Sequence, residues 1–201
     1  MNLLSSTSVF SFYTLLSRVL GYLRDILIAA FLGTSIYADA FFVAFRLPNT
    51  FRRLFSEGTF NAAFIPSYAE QKLKSETSGK KFADEVFNLL LFFLIILVLV
   101  VEIFTPFLVY IIAPGFYDDL EKFSLATELT KFTFPFLLFV SLSSLLSGIL
   151  NTNNKFAAAA AAPIVLNIVL ILSLLISFYF NLNFVKNLSI GVTLAGIIQL
   201  V

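Results

Sequence analysis

The stretch Ala44–Phe64, "AFRLPNTFRRLFSEGTFNAAF", decides how this chain is read. It sets Arg46, Arg52, Arg53, Glu57, Pro48 and Gly58 among apolar residues, in a sequence dominated by Phe, Leu, Ile and Val. The chain has 201 residues, 59% of them hydrophobic and only 12% charged, whereas a soluble domain is about 25% charged. That composition belongs to a membrane protein, so the fixed charge of this stretch needs its own explanation. A formal net charge of +1 argues against nucleic-acid binding, which shows as a basic patch on a domain of high pI. With no Cys and no His, the chain lacks disulfides, thiol nucleophiles, thiolate or imidazole metal sites and the commonest general base.

A membrane-crossing helix needs about 20 mostly apolar residues. Residues 86–113, 132–150 and 156–180 meet this directly, and 188–201 is apolar to its last residue. The amino terminus lacks the basic segment and small-residue cleavage site of a signal peptide, and 3–32 reads as a retained first span. Residues 40–69 read as the second, with "GTSIYAD" as the turn between them. The alternative for this first pair is two amphipathic helices on the membrane surface. The expected fold is therefore an all-α, polytopic transmembrane bundle of about six spans. It forms a single domain over residues 1–201, its last span cut short. The alanine run 157–162 either lets a neighbouring helix approach closely or is simply a bland helix start before Pro163.

Lysine distribution gives the expected orientation. Lys72, Lys74, Lys80 and Lys81 fall in 71–85 and Lys155 in 151–155, both expected as loops on one face, while the turn at 33–39 has no Lys or Arg. By the positive-inside rule the second and fourth loops, and the N-terminus, lie in the cytoplasm. In a bacterium the membrane is then the inner one.

All five arginines (Arg18, Arg24, Arg46, Arg52, Arg53) precede residue 71 and all eight lysines follow it. A charge at the bilayer centre costs about 2.5–3.5 kcal/mol on insertion scales, so such residues face water, counter-ions or ligand. The planar guanidinium fork suits bidentate contact with phosphate or carboxylate. Asp25, Asp39 and Glu57 can neutralise three of the five arginines, and the remaining two positive charges match a diphosphate. Ser17 and Arg24 are seven residues apart and differ by about 20° around a helix, as do Arg18 and Asp25; Arg18 and Arg24 differ by about 120°. Arg46, Asn49 and Arg53 share a face at i, i+3, i+7 spacing. Plainer readings remain open at this point. Arg46, Arg52 or Arg53 can snorkel to an interface, Arg24 and Asp25 can be a structural ion pair, and Asp39 can be a helix cap. Asp118, Asp119 and Glu121 either chelate Mg²⁺ or belong to a solvated loop.

The segments "SRVLGYLRDILIAAFLG" (17–33) and "ADAFFVAFRLPNTFRRLFSEGTFNAAFIPSYAE" (38–70) closely resemble the opening of the MurJ (MviN) lipid II flippase family, in the multidrug/oligosaccharidyl-lipid/polysaccharide exporter superfamily. "FTPFLVYIIAPGF" and "FPFLLFVSLSSLLSGILNTNNKFAAAAAAPIVLNI" resemble it more loosely. The resemblance implies two six-helix lobes and two further helices around a central cavity. This chain corresponds to the N-terminal lobe, and the missing C-terminal lobe is its partner. It implies a transporter, not an enzyme, without a cofactor. That transporter carries lipid II, the undecaprenyl-diphosphate-linked disaccharide-pentapeptide, across the membrane by alternating access for peptidoglycan synthesis. By position the family's cavity arginines fall on Arg18, Arg24 and Arg52, with Arg53 beside them. Ser17 and Asn49 join them as head-group contacts, Asp25 and Asp39 match acidic cavity positions, and Ser56, Glu57 and Gly58 match a gate-forming loop. The alternatives are a flippase for another lipid-linked oligosaccharide and a membrane enzyme acting on polyprenyl diphosphates. The enzyme is disfavoured because the chain offers a poor acid/base or metal constellation.

Overall fold

The computed structural model describes the backbone of residues 3–56, 59–153 and 156–201, and the side chains of 11–50, 52–53, 60–153 and 160–201. In chain order the helices are α1 (Leu3–Leu32), α2 (Ile36–Ser56), α3 (Thr59–Lys74), α4 (Glu76–Ile103), α5 (Thr105–Ile112), α6 (Leu120–Thr133), α7 (Phe136–Thr152), α8 (Phe156–Phe180) and α9 (Phe184–Leu200), with a 3-10 turn at Pro114–Phe116. No strand occurs among the described residues. Leu120–Thr152, Glu76–Ile103 and Ala160–Phe180 are long and apolar enough to cross a membrane, and Phe184–Leu200 is apolar but shorter. The fold is an all-α membrane bundle.

Local chemistry sets the helix ends. After α1 the chain turns at Gly33, whose φ of +59° favours a residue without a side chain, and the Ser35 hydroxyl donates to the Leu32 carbonyl at 2.7 Å. Ser75, Asp119 and Asn183 cap α4, α6 and α9, each accepting a backbone N–H three residues on.

The structure corrects several sequence boundaries. The expected lysine loop at 71–85 is a helical hairpin in which Ser75 alone separates α3 from α4. Hydropathy marks where the chain leaves the apolar phase, whereas the helices run on into the polar one. The helix of the expected span 40–69 begins earlier, at Ile36, and helix continues past 69 to Lys74. The expected span 86–113 breaks before Thr105–Pro106, because a proline early in a helix starts a new one more readily than it continues an old one. Between the 3-10 turn and α6 only residues 117–119 are left of the expected loop "GFYDDLEK", and α7 follows after a step at Phe134–Pro135. For α8 the expected and observed bounds coincide.

Two apolar clusters hold the bundle. One joins α1, α2, α6, α8 and α9 through Ile28, Phe41, Leu129, Leu170, Leu188 and Val192. The other joins α3, α4 and α7 through Phe64, Leu90, Leu94, Leu142 and Leu145. Along α4, Leu89, Phe92, Phe93, Ile96 and Leu99 are exposed, an apolar face suited to lipid tails. Helix α9 fits against α7 through Gly196, where an added Cβ would lie 2.8 Å from Cδ2 of the buried Phe136. Gly196→Val is therefore expected to destabilise the bundle by about 1–3 kcal/mol, the usual cost of overpacking. Gly115→Ala, with nothing within 4 Å of its Cβ, is expected to leave thermal unfolding in detergent unchanged.

Candidate functional site: an arginine-lined cavity

Consecutive helices usually pack together, but α1 and α2 make little contact with each other. Helix α1 packs chiefly on α8, and α2 chiefly on α6 and α7. The space left between them is a cavity of about 240 Å³. Its walls are Ser17, Gly21 and Arg24 of α1, Phe45, Asn49, Arg52 and Arg53 of α2, and Pro163, Leu166 and Asn167 of α8.

Arg24 is held by two partners. Its Nε and Nη2 donate to Asp25 Oδ1 at 2.9 and 2.7 Å, and its Nη1 donates to Asn167 Oδ1 at 2.8 Å. Asn167 in turn donates from Nδ2 to the Ser17 carbonyl at 3.0 Å, so one amide spans two turns of α1. The Arg24 side chain is 20% exposed, against 62% for Asp25; the guanidinium is drawn inward while its counter-ion stays at the rim. On the facing wall Arg52 Nε donates to Asn49 Oδ1 at 3.2 Å.

The position of α2 follows from a proline. Pro48 has no N–H for the Ala44 carbonyl, and the buried Thr133 hydroxyl of α6 donates to that carbonyl at 2.8 Å. This bond ties α2 to α6 just before the segment that carries Asn49, Arg52 and Arg53. Three arginines line the cavity and one of them, Arg24, is paired with Asp25 at the rim, so its described walls are rich in cationic donors. Such a cavity concentrates and orients an oxyanion.

Of the residues singled out in the sequence, Ser17, Arg24, Asn49, Arg52 and Arg53 come together here. Arg18 does not: it lines a separate recess with Ser11, Thr14 and Leu15 on another face of α1. Asp25 is the rim partner of Arg24, and Arg46 is exposed. Asp39 lies in the first turn of α2, away from the cavity, paired with Lys122 Nζ of α6 at 2.5 Å. The Ser56 side chain and all of Glu57 and Gly58 lie outside the described residues. Asp119 caps α6, and among the described residues no group of three or more His, Cys, Asp or Glu is placed to hold a metal ion. Asn167 was not singled out in the sequence. Its signal was present, as the one amide within the charge-free run 156–180, and a polar side chain at membrane depth marks function or helix contact.

Residues 28–201 match the family described as lipid II flippase MurJ. The chain belongs to the MurJ family. A probable lipid II flippase MurJ of Rhizobium tropici is 47% identical over 93% of this chain, and that of Rickettsia prowazekii (strain Madrid E) is 41% identical over all of it. The lipid II flippase MurJ of Burkholderia cenocepacia is 41% identical over 85%. The chain spans 33–39% of the length of these relatives. A solved structure of lipid II flippase MurJ in an inward closed conformation superposes with a TM-score of 0.82 and 32% identity, covering 95% of this chain and 40% of that one. This chain carries its cavity arginines on two separate walls, α1 and α2, with α8 as the third.

The absence of native Cys makes the cavity directly testable. A single Ser17→Cys is expected to react with a water-soluble maleimide about tenfold faster than Leu172→Cys, because only a hydrated thiol ionises readily. Leu172 is exposed on α8 but does not line the cavity. Equal rates would show that the cavity is dry.

Proposed function

We propose that this chain forms the N-terminal lobe of a lipid II flippase, moving undecaprenyl-diphosphate-linked disaccharide-pentapeptide from the cytoplasmic to the periplasmic leaflet of the bacterial inner membrane. The observation that carries the proposal is the cavity lined by Arg24, Arg52 and Arg53 in a chain of the MurJ family. A diphosphate needs donors that keep their charge and meet its oxygens in pairs, which guanidinium groups supply. Arg24 and Arg52 face it from opposite walls; Asp25 and Asn167 hold Arg24 in place, and Asn49 holds Arg52. No bond is made or broken, so the chain needs no general base or metal. The work is to desolvate the head group and then release it on the far side.

The membrane potential favours this direction. A potential negative inside drives an anion outward, by about 2.3 kcal/mol per elementary charge per 100 mV. Release requires only that the arginine grip weaken once the cavity opens outward. The cavity also sits at the middle of the membrane: Arg24 and Arg52 are about 12 and 24 Å along their helices from the α1–α2 turn, at 1.5 Å per residue, the end expected in the periplasm, and so lie on either side of the midplane of a core about 30 Å thick. A phosphatase reporter fused ahead of α1 is expected to be inactive, and one inserted at Gly33–Ser35 active; the reverse pattern would overturn the orientation.

Function is tested in a full-length family member carrying this chain, expressed in a bacterium depleted of its own flippase. Arg24→Ala and Arg52→Ala are each expected to abolish growth with the protein present in the membrane at normal levels. Lys81→Ala, on the polar hairpin, is expected to support normal growth. Normal growth with either arginine variant would remove its assigned role.

A further inference from the structure

Between Glu85 and Asp118 the chain carries one charged residue, Glu102. It lies on the last turn of α4, a helix apolar enough to cross the membrane. Followed along α4 and α5 at 1.5 Å per residue, it is about 16 Å from Ala113, near the middle of a core about 30 Å thick. Glu102 is half-buried, and its Oε1 is buried with no hydrogen-bond partner among the described residues. The charged group that acts on it is Lys131 of α6, which is about 16 Å along its own helix from Leu120 and so stands at a similar depth. No ion pair joins the two.

Other charges on the neighbouring helices are paired or remote. Glu128 of α6 pairs with Lys186, Glu121 and Lys122 stand at the start of α6, and α7 carries none. Helix α5 offers only the phenol of Tyr110, two turns on and packed edge-on against Tyr117. The charged residues of α3 and of the first turns of α4 flank Ser75, at the opposite end of the span. The backbone is open at the same point as the side chain. Pro106 has no N–H for the Glu102 carbonyl, and the hydroxyl of buried Thr105 is shared between that carbonyl at 3.0 Å and the Val101 carbonyl at 2.7 Å.

We propose that Glu102 is a proton-binding site at the α4–α5 elbow, with Lys131 as the counter-charge that takes the proton's place when it leaves. A carboxylate at this depth with an oxygen that no donor reaches is costly. A bound proton removes the charge and lets the carboxyl stay where it stands. Loss of the proton to water leaves an anion facing Lys131, and closure of the two side chains replaces two isolated charges with an ion pair. The end of α4 is then drawn to α6 at the place where the α4–α5 backbone lacks a bond of its own. Lys131 is two residues from Thr133, whose hydroxyl holds α2, so the site adjoins the strut of the arginine wall without sharing a residue with the cavity.

The test uses a purified full-length family member carrying this chain, in vesicles, and dicyclohexylcarbodiimide, an apolar reagent that adds to carboxyl groups in their protonated form. Mass spectrometry of peptides locates the adduct. Glu102 is expected to be labelled, with the extent falling about tenfold per pH unit once the proton leaves, while ion-paired Glu128 stays unlabelled over the same range. In Lys131→Met the fall is expected about one pH unit higher, because the anion has lost its counter-charge; a side chain that only fills space would leave the profile where it was. No adduct at Glu102, an adduct independent of pH, or equal labelling of Glu102 and Glu128 would overturn the proton site, and these readings need only the unaltered protein. An unmoved profile in Lys131→Met would overturn the part given to Lys131.

Discussion

The hydrogen bond from Arg24 to Asn167 is the interaction on which the architecture of the cavity depends. At membrane depth a guanidinium cannot rely on bulk water, so each of its donors needs a protein partner, a captured water or a ligand. Asp25 takes one edge and Asn167 another, and because Asn167 also binds the Ser17 carbonyl the same amide fastens α1 to α8. That leaves α1 with little contact to α2, and the gap between them is where the cavity opens. The charge that would be costly in a packed bundle is thus tied to the contact that keeps the bundle from closing over it.

The same need for partners explains how irregular backbone is tolerated elsewhere. Pro48 deprives the Ala44 carbonyl of its usual donor and Thr133 replaces it. Near the step at Phe134–Pro135 the Thr193 hydroxyl of α9 donates to the Phe132 carbonyl at 2.6 Å. In each case a hydroxyl from a neighbouring helix supplies a bond near a proline and fixes the register of two helices at once. Polar residues scattered through an apolar sequence therefore act here as struts.

Much of this was legible in the sequence, for identifiable reasons. Long apolar runs gave α8 its bounds, and the segregation of arginine from lysine, with the resemblance over 17–33 and 38–70, pointed to the family and to Ser17, Arg24, Asn49 and Arg52. Periodicity supplied angles around a helix but not the neighbour each angle faces. It could therefore separate Arg18 from Arg24 by about 120° without saying that α8 would lie against the Arg24 side. Asp39 could be a cap or a cavity acid until Lys122, 83 residues on, was brought to it. Asn167 escaped notice because one amide barely alters the hydropathy of a long apolar helix, whereas its partners are more than 140 residues away.

The weak contact between α1 and α2 also has a mechanical consequence. The two helices are joined by a short turn at Gly33–Ser35 and held by different neighbours, which makes each a lever with its fulcrum at that turn. Arg52 stands about 24 Å out along its arm, so a swing of roughly 10° displaces it by about 4 Å, enough to turn a hydrogen bond into a gap. Position thus becomes a matter of leverage: a small rotation at the far end of the bundle moves the α2 arginines relative to α1 without rebuilding either helix.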